Sequence, residues 1–220
     1  PSHDTLGRVF ARIDPVAFEA CFLAWVHAIL PRPAGEVVAI DDKVARRSHD
    51  HGAERPPIDL VSAWATESRL VLGQIAVNDH SNEIPAVPAL LALLDVSGAV
   101  VTLEALHCQT ATAATIRAGA ADYVLALKGN QPMAFGAVEA FLSEPAAGLQ
   151  GDFHVHLETV DADHGRIELR RYWISTDPAL LDYVNLDATW PQLRCVGMGK
   201  RERQTAAGTT QQTSHFLSSL

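Results

Sequence analysis

The sequence predicts an α/β fold, a mixed sheet flanked by helices, and three observations carry that expectation. Two apolar runs, EVVAID at 36–41 and GAVVTLEA at 98–105, have the length and content of buried strands. Two further runs, DLVSAWAT at 59–66 and RLVLGQIAV at 69–77, are separated only by Glu67 and Ser68, the spacing of an antiparallel hairpin. Segments of helical periodicity alternate with the later strands, the order that builds a helix-covered sheet. With 220 residues the chain can form one large domain around a substantial core.

Each element has a local reason. Asp14 followed by Pro15 is a helix start, an N-cap with proline in the first turn. Phe18, Phe22, Trp25, Val26 and Ile29 then fall on one helical face, until PRPAG at 31–35 breaks the helix. KVARRSHDHGAERPP at 43–57 is a polar connection between the first strand and the hairpin. A helix over 82–95 carries Pro85 in its first turn, turns Leu90, Leu91 and Leu94 inward, and ends before Gly98. The second long apolar strand follows, then a helix over 109–119 that stops on Gly119, a buried strand at 122–128 and a helix at 132–143. EPAAGLQGD at 144–152 reads as a linker. After it, FHVHLETVD, RIELRRYWIS, QLRCVGMGKRER and QTSHFLSSL are strand-like, with a short helix near 178–183. The expected organisation is a helical segment at 1–35, an α/β core at 36–145 and a β-rich region at 146–220.

Composition limits the partners. The formal charge is −9, from 17 Lys+Arg against 26 Asp+Glu. That balance argues mildly against nucleic acid, whose binders carry a basic footprint. Basic clusters nevertheless exist: Lys43, Arg46 and Arg47; Arg166, Arg170 and Arg171; Lys200, Arg201 and Arg203. Each is either a solvated face or a phosphate contact. No apolar run of about 18 residues and no signal-peptide pattern is present, so no membrane partner is expected. Cys21, Cys108 and Cys195 are far apart and odd in number, which suits neither a disulfide framework nor a zinc site and points to a reducing cytoplasm.

The chemistry-bearing residues lie at strand ends. Asp41 closes the first apolar strand and Glu104 the second. A carboxylate there is costly to bury unless it is paired or binds a metal. Brought together on neighbouring strands, the two could hold Mg²⁺ or Mn²⁺, ions that prefer oxygen ligands. Exposed strand-end acids are the commoner case. Asp42 either shares the load or caps a turn. Lys128, Asn130 and Gln131 in ALKGNQ could reach phosphate, or form an ordinary Gly-Asn turn. In HGRIELRR, Arg166, Glu168 and Arg170 alternate onto one strand face, to contact phosphates or to pair across strands. HDH at 49–51, even with His107 or His164, matches no zinc spacing.

The chain closely resembles bacterial insertion-sequence transposases of the ISAs type, the H-repeat-associated proteins among them. The matching segments are PSHDTLGRVFARIDP, VVAIDDK, DLVSAWATESRLVLGQIAV, SNEIPAVPALLALLD, VVTLEALHCQTATA, DYVLALKGNQ, HGRIELRRYW and FLSSL, in family order across essentially the whole chain. The resemblance implies a ribonuclease-H-like fold with a β-rich insertion. It also implies DDE chemistry, in which metal ions, Mg²⁺ or Mn²⁺, activate water and then a DNA 3′-hydroxyl for attack on phosphodiesters. The implied partners are transposon-end and target DNA and further copies of the chain on that DNA, in a bacterial cytoplasm at the nucleoid. By the same resemblance Asp41 is the first catalytic and metal-binding acid and Glu104 stands at the second. Lys43, Arg46, Lys128, Asn130, Gln131, His164 and Arg166 become candidate DNA contacts.

Departures from the family pattern shape the expectation for activity. Glu104 stands where aspartate is usual, moving the carboxylate outward by roughly 1.5 Å. A 1 Å error in a catalytic site can cost on the order of 10²-fold. Asp42 and His107 stand where glycines are usual. The third family acid is expected on a helix beyond FLSSL, after which this chain ends, and Glu168 is a poor substitute because of its place in the insertion. These features lead to the expectation of an impaired or truncated copy with little activity alone. The alternatives are a non-catalytic remnant that binds DNA or pairs with an intact transposase, and an unrelated α/β enzyme acting on a small phosphorylated substrate.

Overall fold

The computed structural model describes residues 2–30, 35–44, 58–77, 83–143, 154–163 and 166–220. In chain order the elements are α1 (His3–Phe10), α2 (Pro15–Ile29), β1 (Val37–Val44), β2 (Asp59–Ala65), β3 (Leu70–Val77), α3 (Glu83–Leu93), β4 (Val100–Leu103), a 3₁₀ turn (Ala105–His107), α4 (Thr110–Ala118), β5 (Asp122–Leu127), α5 (Pro132–Leu142), β6 (His154–Asp163), β7 (Arg166–Ser175), α6 (Pro178–Val184), β8 (Cys195–Thr205) and β9 (Gly208–Ser218). The expected linker at 144–152 and the HDH segment lie outside the described residues.

All nine strands form one mixed sheet, in the order β3-β2-β1-β4-β5-β9-β8-β7-β6. β1, β2 and β3 run antiparallel as a meander. β4 and β5 run parallel to β1, each crossover passing through helices. This mixed core, with helices on the sheet, is the ribonuclease-H-like arrangement. The strands of the β-rich region do not stand apart, because β9 pairs antiparallel with β5 and β8, β7 and β6 follow from it. β9 also continues seven residues beyond its last partner on β5, His215 opposite Leu127. The outer halves of β6–β9 therefore form an arm that projects past the carboxyl end of the core strands.

Burial alternates along β1, β4 and β5 instead of running continuously as the apolar sequence predicts. Val38, Ile40, Val101, Leu103, Tyr123, Leu125 and Leu127 face the helices and are buried. Ala39, Thr102, Val124 and Ala126, on the opposite face, are only half-buried. The helices described here cover one face of the sheet, which is the physical reason for the alternation. α2 departs from expectation too. Of its predicted apolar face only Val26 is buried, while Phe18, Trp25 and Ile29 stay exposed, since the helix packs on the sheet mainly at β3. The first polar segment is helical as α1, capped by the Ser2 side chain.

Glu36 anchors the base of the core. It is 3% exposed, and its carboxylate accepts hydrogen bonds from the Glu67 and Ser68 amides (2.9 and 3.1 Å) and the Ser68 hydroxyl (3.0 Å). A buried carboxylate is tolerable only with such donors. They seat the tight β2–β3 turn, whose last residue, Arg69, has φ +55°. At the other side of the sheet, the Ser219 hydroxyl accepts from Tyr123 N (3.0 Å) and donates to Asp122 (2.8 Å), pinning the end of β9 to β5.

Gly197 on β8 lies opposite Phe216 on β9, and the Phe216 ring occupies the space that a side chain at 197 would need. A Cβ there would come within 2.0 Å of the ring. Gly197→Ala is expected to cost ~1–3 kcal/mol of stability through forced repacking. In a Phe216→Ala background the cost should largely disappear, a coupling that urea denaturation of the four proteins in the cycle measures.

Candidate functional site

The β1–β4 register creates the site. Ile40 pairs with Leu103, so the next step along the parallel ladder sets Asp41 beside Glu104 at the carboxyl edge of the sheet. β1 runs on through Lys43 and Val44 because its other edge stays paired with β2, Asp41 opposite Ser62 and Asp42 opposite Val61. β4 instead ends at Leu103, and Glu104 leads into the 3₁₀ turn. Strand alternation then sends the two β1 acids to opposite faces. Asp41 shares the open face with Lys43, whose ammonium lies 3.4 Å from its carboxylate. Asp42 continues the buried row of Val38 and Ile40 toward the helix-covered side.

Glu104 makes its direct contact with Asp42 rather than with Asp41. Its carboxyl is pushed up to about 7, first by that hydrogen bond, then by partial burial and the charges of Asp42 and Asp41, with Lys128 acting in the opposite direction. Glu104 thus keeps its proton toward neutral pH beside the two aspartates. His107, at the end of the 3₁₀ turn, is fully buried with Nε2 4.0 Å from Asp42 Oδ1. One ligand atom each from Asp42, Glu104 and His107 lie within 4.8 Å of one another, a spacing that can close on a metal ion. Sequence reasoning noted residues 42 and 107 as departures from a pattern but did not bring them together. The available signal was the presence of Asp42, Glu104 and His107 within a few residues of two strand ends.

The expected DNA contacts separate into three groups. Lys43 and Lys128 lie beside the carboxylates. The side-chain amides of Asn130 and Gln131 bond to backbone: Asn130 Nδ2 donates to Ala105 O (2.7 Å) and Gln131 Nε2 to Cys108 O (2.9 Å). They clamp the 3₁₀ turn that carries Glu104 and His107, with their amide donors committed to backbone carbonyls. Arg166 begins β7, five strand spacings or ~24 Å across the sheet from β1. Arg46 and His164 lie outside the described residues.

Arg166 belongs to a second cluster, on the arm. Glu168, 6% exposed, is ringed by Arg170 and by the guanidiniums of Arg166 and Arg203 at 3.7 and 3.8 Å. Arg201, opposite Arg170, adds a further cation to the same face. Following the register across β5, β9 and β8 places this face on the same side of the sheet as Asp41. Gln212 and Thr210, the partners of Arg201 and Arg203, lie ~10 and ~17 Å beyond the last β5–β9 pair. The basic arm face and the carboxylates therefore occupy the same end and the same side of the sheet. Among the described residues no helix is long and apolar enough to cross a membrane.

The sequence model of a family described as "Transposase DDE domain" matches residues 32–173. A protein encoded in the dhlA 3′ region of Xanthobacter autotrophicus is 39% identical over all of this chain, which covers 72% of that relative. The H repeat-associated protein YhhI of Escherichia coli K12, named as a transposase, is 34% identical over 91% of this chain and is itself covered over 53% of its length. This chain thus spans about half the length of that second relative. Among solved structures, a piggyBac transposase synaptic complex with hairpin DNA aligns over 86% of this chain and 34% of its own, with 9% identity and a TM-score of 0.40.

Raising an acid's pKa on folding has a definite sign. The metal-free protein binds more protons than the unfolded chain between pH 4.5 and about 7. Its stability from this group is therefore full below that window and lost as pH rises through it. Glu104→Gln should melt at a higher temperature than the wild type at pH ~8. The difference should vanish near pH ~4.5, as thermal melts in chelator would show.

Proposed function

This chain belongs to the transposase DDE-domain family, and on that premise we propose that it is the catalytic core of a DDE-type transposase acting on bacterial insertion-sequence DNA. The supporting observation is the β1–β4 register, which aligns Asp41 with Glu104 at the carboxyl edge, below an arginine-bearing arm on the same side. A divalent metal is implied by the family, and the residues fit one. The hydrogen bond to Asp42, partial burial and the neighbouring acid charges keep a proton on Glu104 toward neutrality, and a dication is the natural replacement for that proton. Asp41 and Glu104 would hold it, with Mg²⁺ or Mn²⁺ suited to the oxygen donors. When bound, the ion supplies activation of water or a 3′-hydroxyl and neutralises charge on the phosphodiester.

The chain's own residues do the rest. Lys43 offsets the charge of Asp41 and holds its carboxylate on the open face. Lys128 supplies a cation beside Glu104, where a scissile phosphate would bring negative charge. Asn130 and Gln131 keep the 3₁₀ turn in place, so Glu104 is presented from a fixed backbone. On the arm, Glu168 orients three guanidiniums while leaving positive charge in excess, the condition for gripping phosphates without reading bases. Binding of more than one copy to paired DNA ends, in a bacterial cytoplasm at the nucleoid, completes this reading.

Two measurements test it. Replacing Arg166, Arg170, Arg201 and Arg203 with alanine should weaken duplex DNA binding and reduce the slope of log affinity against log salt by up to about 4. Plasmid nicking in Mn²⁺ should be weak for the wild type and rise by on the order of 10²-fold in Glu104→Asp/Asp42→Gly. Added Asp41→Asn should abolish it. Salt-sensitive binding without nicking in any variant would identify a DNA-binding module in place of a nuclease. DNA affinity insensitive to salt would overturn the reading altogether.

A further inference from the structure

The proposed function uses the carboxylates at the sheet edge, but not the buried imidazole beside them. Asp42, Glu104 and His107 arrive from three separately fixed pieces of backbone. Asp42 is locked in β1 by its pairing with Val61. Glu104 leaves the end of β4, and its carbonyl accepts from His107 N (3.1 Å), closing the 3₁₀ turn. Asn130 and Gln131 clamp that turn from the next strand end. The side chains are thus presented by a rigid frame, as a preformed binding site requires.

The donor set is unlike that of an all-carboxylate site. His107 is fully buried, and its Nε2 approaches Asp42 Oδ1 to 4.0 Å. The three ligand atoms span no more than 4.8 Å. Two donors at ~2.1 Å from one ion at a tetrahedral angle are about 3.4 Å apart, so rotamer adjustment of roughly an ångström closes the set. One nitrogen and two oxygens favour zinc-like first-row dications, whereas Mg²⁺ prefers oxygen ligands and retains its water. Glu104 is exposed, which leaves a solvent-facing coordination position.

We infer that Asp42, Glu104 and His107 form a three-ligand site that takes a zinc-like dication, Zn²⁺ or Co²⁺, in preference to Mg²⁺. This inference shares with the proposed function the reading of Glu104 as a metal-facing carboxylate, but needs neither DNA nor catalysis. Asp41, directed to the other face with Lys43, is outside the site.

Co²⁺ titration of the full chain, followed by visible absorption and calorimetry, tests the inference. The wild type should bind one Co²⁺ per chain with the intense bands of a low-symmetry nitrogen-containing site. Zn²⁺ should displace Co²⁺ stoichiometrically, and Mg²⁺ in large excess should leave the bands in place. His107→Ala and Asp42→Gly should each lower Co²⁺ affinity by at least ~10–100-fold. The second variant alters a half-exposed strand position, so loss there is separable from damage to the core, with circular dichroism confirming the fold. Asp41→Asn should change affinity by no more than about twofold. Absent bands, or unchanged affinity in folded Asp42→Gly, overturns the inference. If Asp41→Asn abolishes binding while Asp42→Gly does not, the metal belongs to the Asp41–Glu104 pair. That result overturns the three-ligand site and leaves the transposase reading standing. Co²⁺ binding with the expected variant pattern supports the site even when DNA binding fails.

Discussion

The rest of the structure depends on the register of β1, and Glu36 sets it from below. One residue is tied in two directions. Its backbone carbonyl accepts from Val100 N at 2.8 Å, locking the parallel β1–β4 ladder, while its buried carboxylate seats the β2–β3 turn. With both edges of β1 held, Asp41 must align with Glu104, and Asp42 must fall on the helix-covered face. A slip of one residue would exchange the two faces. It would turn Asp41 and Lys43 toward the helix-covered face and send Val38, Ile40 and Asp42 to the open one. The geometry of the carboxyl edge therefore follows from hydrogen bonds about five residues away, at the opposite end of the strand.

At that edge the arrangement carries electrostatic tension. Asp41, Asp42 and Glu104 concentrate negative charge, partly offset by Lys43 and Lys128 and partly by the proton that Glu104 retains toward neutral pH. Close like charges are stable only with a proton, a cationic side chain or a metal between them. The arm inverts this pattern: Arg166, Arg170 and Arg203 gather around the carboxylate of Glu168, with Asp161 opposite it on the same face. A chain with a formal charge of −9 can therefore present a basic surface where its long strands extend past the core. Net charge alone argued against a nucleic-acid partner because it averages over regions that the fold separates.

Much of the fold was legible in the sequence. The hairpin at 59–77, the helix at 132–143 and the strand at 122–128 follow from turn chemistry and periodicity that act over a few residues. Other features were not. β1 continues through Asp41, Asp42 and Lys43 because β2 supplies partners there, which no local propensity indicates. The apolar face of α2 is largely exposed because burial depends on what the helix meets. Asn130 and Gln131 read as phosphate contacts or part of an ordinary Gly-Asn turn, and their amides hold the 3₁₀ turn, a contact across more than 20 positions in sequence.

By itself the sequence determined the α/β class, the principal strands and helices, the family resemblance, and Asp41 and Glu104 as residues of interest. These depend on local pattern or on motifs that follow one another along one chain. Only the tertiary structure decided which acid Glu104 contacts, that buried His107 joins it, and that the β-rich strands continue the core sheet as a basic arm. Each of those is a matter of register between distant strands. Shifting the register by one residue moves a side chain to the opposite face while leaving every local preference satisfied.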